Sequence, residues 1–236
     1  MRVVGISDDP NLASVQAAFS ALGELSDQLV LVGGCATGLL ITSPRSEMIR
    51  PTRDVDVVIE AVSRSHYRHF EKHLRELGFA HDQSAAAPIC RWCFGEVIVD
   101  LMPTSPDVLG FGNRWYPRVM ELSEMVALPT GQRLRLISAP VFLLTKFDAF
   151  RSRATTDLIL SHDLEDIVAV LDGRDSLEEE IASSPADVRE AIQENVNQLL
   201  GNSRALESMS AFLPGDAASQ ARLPDLFARL ERLGGR

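Results

Sequence analysis

Acidic side chains stand where an apolar strand is expected. Asp54 and Asp56 open the β-branched run Val55–Ile59, and Asp100 sits inside the apolar run Val97–Met102. Side chains alternate along a strand, so Asp54 and Asp56 project from one face with their carboxylates a few ångströms apart. Like charges so close raise one pKa unless a cation lies between them. A hard divalent ion such as Mg²⁺ suits two carboxylates together with phosphate oxygens. The plainer reading is a solvated strand start. A lone carboxylate within an apolar strand is costly, so Asp100 is expected to be paired, metal-bound or at an exposed strand end. Upstream, the run Leu29–Val32 ends in Gly33-Gly34 ahead of a helical pattern. Glycines let the backbone approach a phosphate, and a helix N-terminus offers it free N–H groups. The same pair also serves an ordinary strand–turn–helix corner.

Other candidates are weaker. Cys90 and Cys93 form a C-x-x-C pair, but only His81 lies near and no second ligand pair follows. A zinc site needs that second pair, so they read as two half-buried thiols in or near a strand. The odd count of cysteines (Cys35 is the third) argues against a disulfide framework and for a reducing cytoplasm. His66, His69 and His73 share one helix face and read as solvent-facing. The net charge of −10 argues against a generic nucleic-acid binder. Arg45, Arg50 and Arg53, then Arg114, Arg118, Arg133, Arg135, Lys146, Arg151 and Arg153, leave room for a local basic cleft facing a polyanion.

The elements that must position these residues follow from periodicity. Helical spacing marks Asn11–Leu25, Cys35–Ile41 and Ser63–Leu77, the last with Ser63 as N-cap and Gly78 as stop. Strands are expected at 29–32, 55–59, 89–94, 97–102, 118–128 and 132–137, with Gly95-Glu96 joining a hairpin. From Pro140 the period is helical: 141–151, 156–171, 177–200 and about 223–233. Hence a catalytic domain over 1–138 and a helical domain over 139–236, in a fold of α+β class. No apolar stretch of membrane-spanning length occurs, and the first ten residues lack a secretory h-region.

The order Gly33-Gly34, then Asp54 and Asp56, then Asp100 resembles the nucleotidyltransferase superfamily of polymerase beta-like fold. Its pattern is a glycine turn, a two-acid strand and a third acid on a later strand. Leu31-Val32-Gly33-Gly34 with Gly38-Leu39-Leu40, Thr52-Arg53-Asp54-Val55-Asp56, Lys146 in Leu144–Ala149, and Asp163-Leu164-Glu165-Asp166 more narrowly resemble the AbiEii/MenT-type toxins of toxin–antitoxin systems. The likeness spans roughly residues 28 to 172. Two departures stand out: Gly34 occupies a position often held by Ser, and Thr37-Gly38 replaces the Arg-Asp of CCA-adding enzymes.

The resemblance implies a mixed or antiparallel nucleotidyltransferase sheet with flanking helices and a C-terminal helical domain. It implies two Mg²⁺ ions on Asp54, Asp56 and Asp100, and transfer of a nucleoside monophosphate from an NTP to an acceptor hydroxyl. Gly33 and Gly34 would meet the nucleotide phosphates, with Arg53 a further phosphate contact or simply a partner of its neighbouring acids. Lys146 would neutralise the triphosphate, and Asp163 or Asp166 would orient Lys146 or touch the nucleotide. The implied acceptor is RNA, at the tRNA 3′ end, with an antitoxin protein as partner. A small-molecule acceptor of aminoglycoside type, a protein acceptor, and an inactive nucleotide-binding module are the alternatives.

Overall fold

The computed structural model describes residues 2–4, 9–43, 49–153 and 157–236. Arg45 and the expected helix start at Thr156 lie outside the described residues. The chain divides into two compact units: Met1–Leu39 with Arg50–Ser138, and Leu40–Ile49 with Ala139–Arg236. Segment 40–49, which the sequence boundary assigns to the first domain, thus belongs with the second unit.

The first unit is built on an eight-stranded mixed sheet. Its strands are β1 (Arg2–Val3), β2 (Leu29–Leu31), β3 (Val55–Ile59), β4 (Ala80–His81), β5 (Arg91–Phe94), β6 (Val97–Pro103), β7 (Glu124–Ala127) and β8 (Arg133–Leu136). Their order is β1-β7-β8-β2-β3-β6-β5-β4. β3 runs antiparallel to β2 and parallel to β6. β5 and β6 form the expected hairpin, closed between Phe94 and Val97, where Gly95 takes a left-handed φ of 57°. Val57, Val99 and Leu101 are fully buried, and so is Val58 on the opposite face of β3, so the central strands are apolar on both sides and Asp56 interrupts that pattern near the start of β3.

Four helices accompany the sheet: α1 (Leu12–Leu22), α2 (Gly34–Leu40), α3 (Arg64–Glu76) and α4 (Tyr116–Leu122). Ser63 caps α3 by accepting from the His66 N–H at 3.2 Å. Gly78 stops it with φ 90°. The strand expected over 118–128 is half helix. Pro117 sits in the first turn of α4, where its missing N–H costs nothing, and Tyr116 and Val119 are buried at helical spacing. Only Glu124–Ala127 is extended.

The second unit is helical: α5 (Ala139–Ser152), α6 (His162–Gly173), α7 (Leu177–Ala182), α8 (Ala186–Leu200), α9 (Ser203–Met209), α10 (Ala217–Gln220) and α11 (Leu223–Leu233). Two expected helices are shorter than their periodicity. The Ser161 hydroxyl accepts from the Leu164 N–H and starts α6 there, after a 3-10 turn at Leu158–Leu160. Pro185 interrupts 177–200 by sitting at the N-cap of α8. Residues 40–43 join this unit through Gly173 and Arg174. The Gly173 carbonyl accepts from the Thr42 and Ser43 N–H groups at 2.9 and 3.1 Å. Arg174 donates to the Leu40 carbonyl at 2.7 Å. None of the described helices is long and apolar enough to cross a membrane.

Candidate active site

The expected acids meet in register. Asp56 on β3 and Asp100 on β6 are paired Cα partners, and Asp100 is in turn paired with Arg91 on β5. Residues directly opposite across neighbouring strands share a face. Asp56, Asp100 and Arg91 therefore form a row across three strands, and Asp54 lies two residues before Asp56 on the same side.

Arg91 binds this row together. Its Nε and Nη2 donate to the two carboxylate oxygens of Asp100 at 2.8 and 2.7 Å. Nη2 also pairs with Asp54 Oδ2. The Asp100 side chain is 8% exposed and that of Asp54 34%. Asp100 is thus paired as a buried carboxylate requires. Hydrogen bonding to Asp100, with the charges of Asp100 and Asp54, holds the Arg91 pKa above its ordinary value against the opposing effect of burial.

The glycine turn lies directly against Asp56. The Val32 N–H donates to the Asp56 carbonyl at 3.0 Å. Gly33 takes φ 68°, and a Cβ there would lie 1.9 Å from Asp56 Oδ2. Glycine is required at this position by both backbone and space. A Cβ on Gly34 would lie 2.6 Å from Thr52 Cγ2, so its glycine serves packing against the segment leading into β3.

That segment is held by a partly buried polar relay. The Asn11 side chain donates to the Arg50 carbonyl at 2.9 Å and accepts from the Thr52 N–H at 2.8 Å. Thr52 Oγ1 and Cys35 Sγ are 2.8 Å apart, and both donate to the Asp54 carbonyl at 3.3 Å. Burial pushes the Cys35 thiol up to about 12, so it acts as a neutral hydrogen-bonding group. Arg53 is exposed and pairs with neither of the flanking acids.

Three carboxylates on adjoining strands offer the oxygen donors a hard divalent cation takes. Among the described residues no three His, Cys, Asp or Glu converge as a metal-ligand group. The donors fit by chemistry, and the Arg91 guanidinium lies against two of them. Cys90 and Cys93 are free thiols. His66, His69 and His73 are exposed on α3.

The second unit holds the other expected residues. Lys146 on α5 is buried and lies 2.6 Å from Asp166 and 3.4 Å from Asp163, both on α6. Arg153 reaches the second oxygen of Asp163 at 2.9 Å. Both acids therefore orient Lys146, and the ammonium is committed to them. Asp148 pairs with Arg151 instead.

Sequence reasoning missed Arg91, Asn11 and Cys35 as site residues. A signal for Arg91 existed: a two-residue turn at Gly95-Glu96 pairs Phe94 with Val97, and counting back three places sets Arg91 opposite Asp100.

No family model matches the chain, and no curated protein matches it. Similar solved structures include the antibiotic-resistance factor ANT(2'')-Ia, 13% identical, with TM-score 0.42 and coverage of 95% of this chain and 97% of that one. A proposed nucleotidyltransferase from H. pylori is 10% identical, with TM-score 0.48 and coverage of 98% and 96%. JHP933 from Helicobacter pylori is 10% identical, with TM-score 0.48 and coverage of 98% and 94%.

Proposed function

We propose that the chain is a Mg²⁺-dependent nucleotidyltransferase that moves a nucleoside monophosphate from an NTP to an acceptor hydroxyl. The observation that carries this reading is the registered pair Asp56 and Asp100, with Asp54 beside it and the Gly33 backbone pressed against the Asp56 carboxylate. Asp54, Asp56 and Asp100 would hold two Mg²⁺ ions. When bound, these supply electrostatic stabilisation to the phosphoryl group in transfer and to the leaving pyrophosphate. Asp100 would bind the second ion and help activate the acceptor hydroxyl, whose oxygen bonds to the α-phosphorus as the bond to pyrophosphate breaks and whose proton passes to solvent. The side-chain-free Gly33 turn admits phosphate to the strand end. Lys146 is assigned to the triphosphate by the motif resemblance alone.

For the acceptor we favour RNA at the tRNA 3′ end, on the motif resemblance, with the chain acting as a toxin restrained by an antitoxin protein. A cationic small molecule is the second reading, favoured by the net charge of −10. The test is incubation with Mg²⁺, each α-labelled NTP in turn and total tRNA, with Asp56→Ala as control. Label should enter tRNA with the wild type and fall at least about 10²-fold with the variant. No label in tRNA, with NTP still bound, removes the RNA acceptor. Absence of both binding and transfer removes the enzyme reading. In cells, expression should slow growth and Asp56→Ala should relieve it.

A further inference from the structure

The position of Arg91 has a consequence for how the aspartate site is loaded. One guanidinium takes both oxygens of Asp100 and one of Asp54. A cross-strand staple needs only one carboxylate, and the β5–β6 partner Asp100 would suffice. Arg91 goes further and reaches an acid at the head of β3, two strands from its own. Its side chain is only 21% exposed, so the charge is well placed to act on the carboxylates. Three acids and one arginine leave the row with two net negative charges, where three acids alone would carry three.

We propose that Arg91 is a built-in counter-cation of this site: a divalent ion and the guanidinium compete for Asp54 and Asp100, so that cation loading is coupled to release of Arg91. The inference rests on the reading of the three aspartates as metal ligands. In the metal-free protein Arg91 offsets one of the three carboxylate charges and ties β3, β6 and β5 together. A divalent ion must then loosen the bidentate contact to Asp100, which sets a threshold on the cation concentration at which the site fills. The released fork becomes available to an anionic group at the same row. Lysine in its place would keep the charge but lose the planar two-oxygen grip.

The experiment is calorimetric titration of the full chain with Mn²⁺, alone, for wild type, Arg91→Gln, Arg91→Lys and Asp56→Asn. Arg91→Gln should bind Mn²⁺ roughly tenfold more tightly, the scale of one unit charge acting on a divalent ion at about 5 Å through a water-like dielectric. Arg91→Lys should stay within about threefold of wild type. Mn²⁺ should also raise the melting temperature of Arg91→Gln more than that of wild type, because ligand stabilisation scales with affinity. Should Arg91→Gln fail to fold, the wild type alone decides. The Arg91 Nε–H resonance, protected from exchange without metal, should lose protection on saturation with Mg²⁺. Equal or weaker Mn²⁺ binding by Arg91→Gln, or an Arg91 signal unmoved by saturating Mg²⁺, overturns the competition while Asp56-dependent binding keeps the metal site. Binding that is absent throughout, or unaffected by Asp56→Asn, overturns the metal-site reading, and this inference falls with it.

Discussion

At Gly33 an Asp56 carboxylate oxygen fills the space that a side chain would take. Alanine there must hold φ near 68° and place a methyl 1.9 Å from Asp56 Oδ2, so the aspartate has to move. We expect Gly33→Ala to cost about 1–3 kcal/mol of stability and to abolish label transfer; a variant with the wild-type rate would show that the Asp56 position is not needed for catalysis. Lys146 poses a different test. Its partners Asp163 and Asp166 are almost fully buried, and removing one member of a buried ion cluster costs about 3–5 kcal/mol. Lys146→Met should lower the urea midpoint accordingly, and Asp166→Leu added to it should recover part of the loss. Equal midpoints for wild type and Lys146→Met would deny the cluster a structural role. The acids of the site were legible in the sequence because each is out of place by type: two open an apolar strand and one interrupts another. Arg91 was not, since an arginine near a hairpin turn is ordinary until the strands are paired.

At the level of elements, β3 owes its entry geometry to residues far from it in sequence. Asn11 is fully buried at the start of α1, and its amide joins the Arg50 carbonyl to the Thr52 N–H. Asn11→Ala leaves two backbone groups without that partner, an expected cost of about 1–3 kcal/mol each when buried. Because Thr52 touches the Asp54 carbonyl, the variant should also slow transfer by more than its stability loss explains. Full activity below its melting temperature would count against the relay. Strong periodicity marked the elements well where local and tertiary preferences agree, as at α11, whose limits Leu223–Leu233 coincide with the pattern. It failed where a proline or a cap cut a pattern short. Pro185 split one helix, Ser161 restarted another, and Pro117 turned residues 118–122 from strand to helix. The two-residue strands β1 and β4 carry too few side chains to show any period.

For the molecule as a whole, buried thiols set a limit on the alkaline side. Burial raises Cys35 and Cys90 from 9.0 to about 12. A group whose folded pKa lies above its unfolded value binds its proton more tightly when folded. Its stabilising contribution is complete below pH 9 and is lost as pH climbs toward 12, because only the unfolded chain ionises in between. The urea midpoint should therefore fall between pH 8 and 10.5, and Cys90→Ala should flatten part of that fall; a level profile would rule the thiols out as its cause. The change of period near residue 138 is visible in the sequence, whereas the excursion of 40–49 is not, because the Gly173 carbonyl that fastens Ser43 lies 130 residues downstream. That excursion bears on heredity. A single recombination point at codon 138 would deliver the sheet with a ten-residue stretch torn from its anchors, so a gene fragment encoding either half does not carry a self-sufficient module. Exchange of the helical part between lineages would need three coordinated breakpoints, near codons 40, 49 and 138, and the two halves are therefore expected to share a single ancestry.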